Sequence, residues 1–257
     1  IIIKLYFHSS LLRSIINFSY RLNVNLFLNK RSLKYKKLFA KKLNLNINKI
    51  QLMDHHLCHA YAAFYGFVPK KMWDSDFLVF TLDGEGDGKC ATINTVKNNV
   101  WSLVSQTKAG NSLAVFYAEI TRFLNMKVNE HEYKVMGLAG YNTFIPNSDR
   151  YESMLNNIFT INDDLSFSAP GGALFFREWI SKNFSNLRFD AVANLSQKFI
   201  ESKVIEWIGL ASHRYNINNI VLSGGLFMNV KLNKTILESK FTKNLFVCPS
   251  SSDETTP

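Results

Sequence analysis

At 257 residues, with 47% apolar side chains and five prolines, the chain carries enough apolar material for a packed core, which excludes a disordered or low-complexity protein. Its three cysteines, Cys58, Cys90 and Cys248, are odd in number and far apart, a pattern that fits neither a disulfide framework nor a cysteine zinc site. The formal charge of +10 is local: residues 1–53 hold eleven Lys/Arg and no Asp/Glu, against nineteen and twenty thereafter, so most of the chain lacks the basic field of a nucleic-acid binder.

No apolar run reaches the ~18 residues of a membrane span, and Lys4 interrupts the opening isoleucines, so a cytoplasmic protein without leader or anchor is expected. The chain starts at Ile and stops after a strand and a polar loop, and reads as a piece cut at both ends. Residues 10–43 read as two helices around an Asn-rich stretch at 23–29. There Lys30, Arg31, Lys34, Lys36, Lys37, Lys41 and Lys42 interleave with Leu33, Leu38, Phe39 and Leu43. Such a pattern suits a solvated helix packed on a lobe, or an anion- or RNA-binding arm. A short strand is predicted at 49–53.

Asp54 is a good helix cap, and the Ala- and aromatic-rich run that follows is predicted helical until Gly66 and Pro69 stop it. Strands are predicted at 76–82, 90–96 and 100–107 in meander order, with the whole of 83–88 as a tight turn. Asn111 or Ser112 caps a helix to about 125, and a second helical stretch surrounds 133–139. Signals are weak from 142 to 188. Helical periodicity returns at 190–215, followed by a strand at 219–222, glycines, a helix at about 226–238 and a strand at 245–247.

Five segments are candidates for chemistry. Of these, 130–139 reads on spacing alone as a solvated charge cluster, and Asp253 is loop-borne as a ligand would be but commonplace in a serine loop. His55 and His59 stand one helical turn apart, close enough to share a metal ion, and a carboxylate from elsewhere would complete a two-His, one-carboxylate set suited to iron and related divalent metals. Histidines at a helix start also act simply as caps or hydrogen-bonding groups. His56 points about 100° away and is read as a neighbouring or substrate-facing group, with acceptance of a hydroxyl proton as its candidate role. The Asp83–Gly84 turn offers bare backbone N–H groups near phosphates and a carboxylate that could hold a metal, a water or a hydroxyl nucleophile, or is ordinary hairpin chemistry. Ser223-Gly224-Gly225 opens a helix where an anion is favoured, with Asn229 one turn on toward a sugar or base; a plain helix-start turn is the alternative.

Taken in order, DHHLCHAYAAF at 54–64, TLDGEGD at 81–87, EYKVMGLAGY at 132–141 and LSGGLFMNVKLN at 222–233 resemble the nodulation-protein-U-type carbamoyltransferases, over about residues 50–254. The N-terminal domain of that family is related to the catalytic subunit of the tRNA threonylcarbamoyl transferase. The resemblance implies an α/β fold of the actin-like ATPase or sugar-kinase (ASKHA) type, two-lobed, with a mixed five-stranded-style sheet per lobe. Residues 1–53 would belong to an incomplete first lobe and 54–257 to the metal- and nucleotide-binding domain, the C-terminal carbamoyl-adenylate-forming domain being absent. It further implies a divalent metal, Fe2+ in the family, on His55, His59 and Asp253. ATP or carbamoyl adenylate would lie at Asp83, Gly84, Gly224, Gly225 and Asn229.

The implied reaction moves a carbamoyl group from carbamoyl adenylate, made from carbamoyl phosphate and ATP, to a hydroxyl of a sugar-containing or other small metabolite. A membrane or nucleic-acid partner is not expected, and a homodimer is compatible with the resemblance. The chain departs from the family at Thr255 and Ala114, where glycine is usual, and at Gly140, where proline is. A tRNA threonylcarbamoyl transferase-like enzyme, a sugar kinase and a non-catalytic nucleotide-binding fragment are the rival readings.

Overall fold

The computed structural model describes residues 33–141, 145 and 147–253, and its contacts divide the chain into two compact units, Ile1–Met53 and Asp54–Pro257. In the first unit, residues 33–42 form a helix, α1. Leu33, Leu38, Phe39 and Leu43 remain exposed while Ala40 is buried, so the interleaved apolar residues build no buried face. The rest of the two-helix prediction lies outside the described residues. The strand predicted at 49–53 does not form; no described strand pairs with it, and the segment instead holds a 3-10 turn, Ile47–Lys49, capped by the Asn46 side chain accepting the Asn48 N–H at 2.9 Å.

The second unit is built on a five-stranded mixed sheet. Helix α2 (His55–Phe67) precedes a meander of β1 (Phe77–Gly86), β2 (Lys89–Lys97) and β3 (Val100–Lys108). Helices α3 (Leu113–Phe123), α4 (Glu132–Leu138) and α5 (Ser148–Asn156) follow, then the short hairpin β4 (Thr160–Ile161) and β5 (Phe167–Ser168), then α6 (Ala173–Phe184) and the long α7 (Phe189–Tyr215). Strand β6 (Asn219–Ser223), helix α8 (Val230–Leu237) and strand β7 (Asn244–Val247) close the unit. The strand order is β3-β2-β1-β6-β7, antiparallel within the meander and parallel from β1 through β6 to β7. The meander prediction holds, and β6 and β7 add a parallel half to it.

Strand β1 occupies the middle because Phe77 to Leu82 is apolar on both faces, apart from Thr81, and fully buried. Alternation then sorts the faces. Leu78, Phe80 and Leu82 pack with Phe116, Phe176 and Trp207 under the helices of one side, whereas Phe77 and Val79 pack with Ala60, Ala63 and Phe64 of α2 on the other. Phe64 alone, fully buried against the sheet, contributes about 1.5–3 kcal/mol by transfer from water. The same alternation directs Thr81 and Asp83 toward α2, and the parallel register of Thr81 with Ser223 brings the end of β6 beside them.

Two local corrections bear on function. The segment 83–88 is not all turn: β1 continues to Gly86, which pairs with Lys89, and Asp87 and Gly88 alone make the reversal, both with positive φ (51° and 78°), as a two-residue type I′-like hairpin requires. Between Leu82 and Gly86 the ladder is irregular, and this bulge turns Asp83 out of strict register. The helix predicted at 226–238 is interrupted. A 3-10 turn, Gly225–Met228, comes first, and Asn229 then leaves helical geometry to cap α8.

Among the described residues no helix is long and apolar enough to cross a membrane. Gly224 sits at φ 103°, and a Cβ there would lie 2.5 Å from the Leu82 carbonyl oxygen, so glycine is required by backbone and by space. Gly224→Ala is expected to cost about 1–3 kcal/mol in a urea unfolding titration; an unchanged midpoint would contradict this close β6–β1 approach.

Candidate functional site

Helix α2 starts where three acidic groups gather. Asp54 caps it, its Oδ1 accepting the Leu57 N–H at 3.0 Å, and its other oxygen pairs with the Lys89 ammonium. Asp87 Oδ2 accepts the His55 N–H at 2.9 Å. Both carboxylates satisfy amide donors that the first helical turn leaves without partners. Burial pushes the Asp54 carboxyl upward, but Lys89 and the Leu57 N–H outweigh it and hold Asp54 below its ordinary value.

The third acidic group, Asp83, meets the histidines. His55 Nε2 lies 3.1 Å and His59 Nε2 3.4 Å from Asp83 Oδ2, the two Nε2 atoms are 3.1 Å apart, and Asp253 Oδ1 lies 3.4 Å from each ring. One donor atom from each of these four residues falls within 4.8 Å of all the others. Ligands about 2.0–2.1 Å from a shared ion stand roughly 3 Å apart, so the observed spacings fit a common cation. The donor chemistry, two imidazoles and two carboxylates, suits a divalent metal.

Electrostatics points the same way. Burial raises the Asp83 carboxyl, yet hydrogen bonds from His55 and His59 and from the Gly84 N–H overwhelm it and hold the group far below the usual carboxylate range. The same Asp83 contact raises His55 above its ordinary value, against partial burial, with Asp253 and Asp87 adding to the rise. Carboxylate and imidazole thus favour each other's charged forms.

Surrounding groups orient these donors. His59 is buried, and its Nδ1 faces Ser223 Oγ at 3.4 Å; an Nδ1–H donated there leaves the Nε2 lone pair directed at the cluster. Asp83 Oδ1, the oxygen turned away from the histidines, accepts the Gly225 N–H at 3.2 Å, and the Asp83 carbonyl accepts the Ser112 hydroxyl at 2.9 Å. Ser112 also caps α3 through the Val115 N–H.

The structure brings together His55, His59 and Asp253, the set that the family resemblance implies, and joins to them Asp83, whose carboxylate the sequence offers either to a metal or near phosphates. Gly84 lies beside it in open space, with nothing within 4 Å of a Cβ there. Gly224 and Gly225 adjoin the cluster, but the Gly225 amide is spent on Asp83. Asn229 does not stand inside a helix. It is buried, caps α8 through the Leu232 N–H, and exchanges two hydrogen bonds with Gln197 (2.8 and 3.0 Å).

His56 corrects an expectation. It is wholly buried, and its Nδ1 is 2.8 Å from Thr81 Oγ1, itself 2.6 Å from Thr92 Oγ1. Burial pushes its pKa below the ordinary value. With no exposed surface the ring offers an incoming hydroxyl no approach in this structure, and its bond to Thr81 anchors α2 to the sheet. Sequence reasoning places Ser223 in the glycine turn and Ser112 at a helix cap but misses that these two and Gly86 shape the cluster, since their part depends on register and close packing.

The EYKVMGLAGY segment forms α4, packed on α7, where the Ala139 carbonyl accepts from Asn194 at 2.8 Å. Beside it lies a surface pocket of about 340 Å³, lined by Ala139, Gln197, Lys198, Lys231 and Lys234 among others. Gln197 links this pocket to Asn229 and so to the turn next to the cluster.

Residues 7–256 match the model of the family described as carbamoyltransferase N-terminus. Curated relatives include protein MJ1051 of Methanocaldococcus jannaschii, 32% identical over 225 residues that cover 83% of this chain and 41% of that protein. Nodulation protein NolO of Bradyrhizobium diazoefficiens is 29% identical over 210 residues (78% and 36%), and nodulation protein NolNO of Sinorhizobium fredii 26% over 211 (80% and 30%). The chain spans about two fifths or less of the length of these relatives. Among solved structures, full-length HypF in its phosphate- and nucleotide-bound form aligns with a TM-score of 0.48 at 13% identity, covering 82% of this chain and 42% of that one.

Loss of the α2 cap is expected to loosen the helix that carries both histidines. Asp54→Ala should lower stability by about 1 kcal/mol in urea; an unaltered unfolding curve would mean that Asp87 alone holds the first turn.

Proposed function

The chain belongs to the carbamoyltransferase family, whose N-terminus it matches over residues 7–256, and from that premise we propose that it is the metal- and nucleotide-binding part of an O-carbamoyltransferase. The observation that carries the proposal is the convergence of His55, His59, Asp83 and Asp253 beside the Gly224–Gly225 turn. These four side chains would hold a divalent cation, with Fe2+ the choice suggested by the family resemblance. Such a cation supplies Lewis acidity, drawing charge from a carbamoyl or phosphate oxygen.

The protein's own groups then have defined tasks. Asp83 Oδ2, Asp253 Oδ1 and the two Nε2 atoms would bind; Ser223 Oγ, 3.4 Å from His59 Nδ1, can accept a hydrogen bond from a proton there; Asp83 Oδ1 ties the glycine turn to the binding site. The nucleotide of carbamoyl adenylate would lie with its phosphate toward the cluster and its nucleoside toward the α7–α8 pocket, past the Asn229–Gln197 pair. There the mixed polar lining of Lys198, Glu201, Lys231, Lys234 and Glu238 offers hydrogen-bond partners to a ribose or base. The unit running from β6 through the glycine turn and α8 to β7 supports the actin-like ATPase reading of the fold.

In the transfer, an acceptor hydroxyl forms a C–O bond to the carbamoyl carbon, the bond between that carbon and the phosphate oxygen breaks, the hydroxyl proton is lost, and AMP leaves. Formation of carbamoyl adenylate from carbamoyl phosphate and ATP is assigned to the part of the family's proteins that this chain does not span. A small sugar-containing or other hydroxylated metabolite suits the near-neutral charge after residue 53, nineteen Lys/Arg against twenty Asp/Glu, better than a nucleic acid does.

Calorimetric titration with Fe2+ under anaerobic conditions, or with Co2+, should find one ion per chain. His55→Ala, His59→Ala and Asp83→Ala should each weaken it at least about tenfold; equal binding by all three would remove the site. Supplied carbamoyl adenylate should release AMP in step with added hydroxyl acceptor, and hydrolysis indifferent to acceptor would favour the binding-module reading. Proton and metal compete for His55 Nε2. Because Asp83 raises His55 above 6.5, apparent metal affinity should climb with pH through that region, by up to about tenfold per unit for each proton displaced; a flat profile would contradict histidine ligation.

A further inference from the structure

The two imidazoles of the cluster are steered by different means. His59 has a hydrogen bond at Nδ1 to Ser223, whereas the tip of the β1–β2 hairpin holds His55. Asp87 Oδ2 takes the His55 N–H at 2.9 Å, and the ring lies flat against Gly86. A Cβ on residue 86 would fall 2.0 Å from His55 Cδ2, 2.3 Å from Cγ and 2.7 Å from Nε2, all far inside van der Waals contact.

The backbone does not require glycine at this position. Positive φ among the glycines is confined to Gly88 and Gly224, so Gly86 has a conformation open to any residue, within a strand and paired with Lys89. Gly84, two residues earlier, has open space around it. The contact that forbids a side chain at 86 is the His55 ring itself.

We infer that Gly86 is a positioning residue for the metal site: the missing side chain at the hairpin tip is what lets His55 Nε2 reach Asp83, His59 and Asp253. This rests on the metal-binding reading above, but the clamp can be tested apart from it. A methyl group at 86 must turn the ring away or lift the N-terminus of α2 off the hairpin, and either movement takes one of four donors from its place. It also accounts for Asp87, whose carboxylate pins the backbone of the same residue whose ring Gly86 receives.

The test combines Co2+ titration of the wild-type chain, Gly86→Ala and Gly66→Ala with urea unfolding of Gly86→Ala, His55→Ala and the double variant. Gly86→Ala is expected to lose at least about tenfold in Co2+ affinity, with Gly66→Ala, at a glycine of the helix that carries His55 with open space around it, within about threefold of wild type. Whatever stability Gly86→Ala loses should largely vanish when His55 is already alanine, because the clash is with that ring. Wild-type Co2+ affinity in Gly86→Ala, or an undiminished penalty in the His55→Ala background, would overturn the inference. Absence of Co2+ binding by the wild-type chain would overturn the metal reading instead, and the unfolding cycle would still decide the clamp.

Discussion

Everything at this site turns on one carboxylate. Asp83 directs Oδ2 at His55 and His59 and Oδ1 at the Gly225 amide, while its carbonyl receives Ser112. Helix α2, the turn after β6 and the start of α3 are thereby fastened to a single residue just past the buried stretch of β1. A half-buried anion is costly without partners, and here the partners are the functional groups themselves. Removing it would leave two imidazoles 3.1 Å apart with one fewer counter-charge and would release the glycine turn together with them.

The sheet explains why these groups meet. Strands β1, β6 and β7 run parallel, so their carboxyl ends lie side by side. Asp83 follows the buried part of β1, Ser223 and Gly224 end β6, and Asp253 follows β7. Open α/β sheets place ligands outside the carboxyl ends of parallel strands, and the antiparallel β2 contributes the hairpin tip that receives His55. The long chain excursion between β1 and β6 supplies α7, whose Gln197 braces Asn229 from behind.

Much of this was legible in the residues. Asp54 as cap, the one-turn spacing of His55 and His59, the meander, α7 and the final strand, glycine, helix, strand unit all follow from local rules of capping, periodicity and turn chemistry. Less legible was what depends on register. Asp83 reads as a turn residue until the bulge before Gly86 is known, and His56 reads as available until α2 is seated on Thr81. Asn229 reads as helical until its own side chain is seen to interrupt the helix. From 142 to 188 short helices and a two-residue-per-strand hairpin carry too little periodicity to announce themselves, although Trp207 reaches across to the Leu165 carbonyl at 2.7 Å to hold that region in the core.

The central claim is spatial: one cation shared by ligands from a helix, the end of a strand and a distant loop. Anomalous X-ray scattering at the absorption edge of the metal, from crystals of the metal-loaded protein, tests it most directly. The account predicts a single peak within bonding distance of His55 and His59 Nε2 and of the Asp83 and Asp253 carboxylates. A peak elsewhere, or one that touches the histidines while Asp83 keeps only its bond to Gly225, would contradict it.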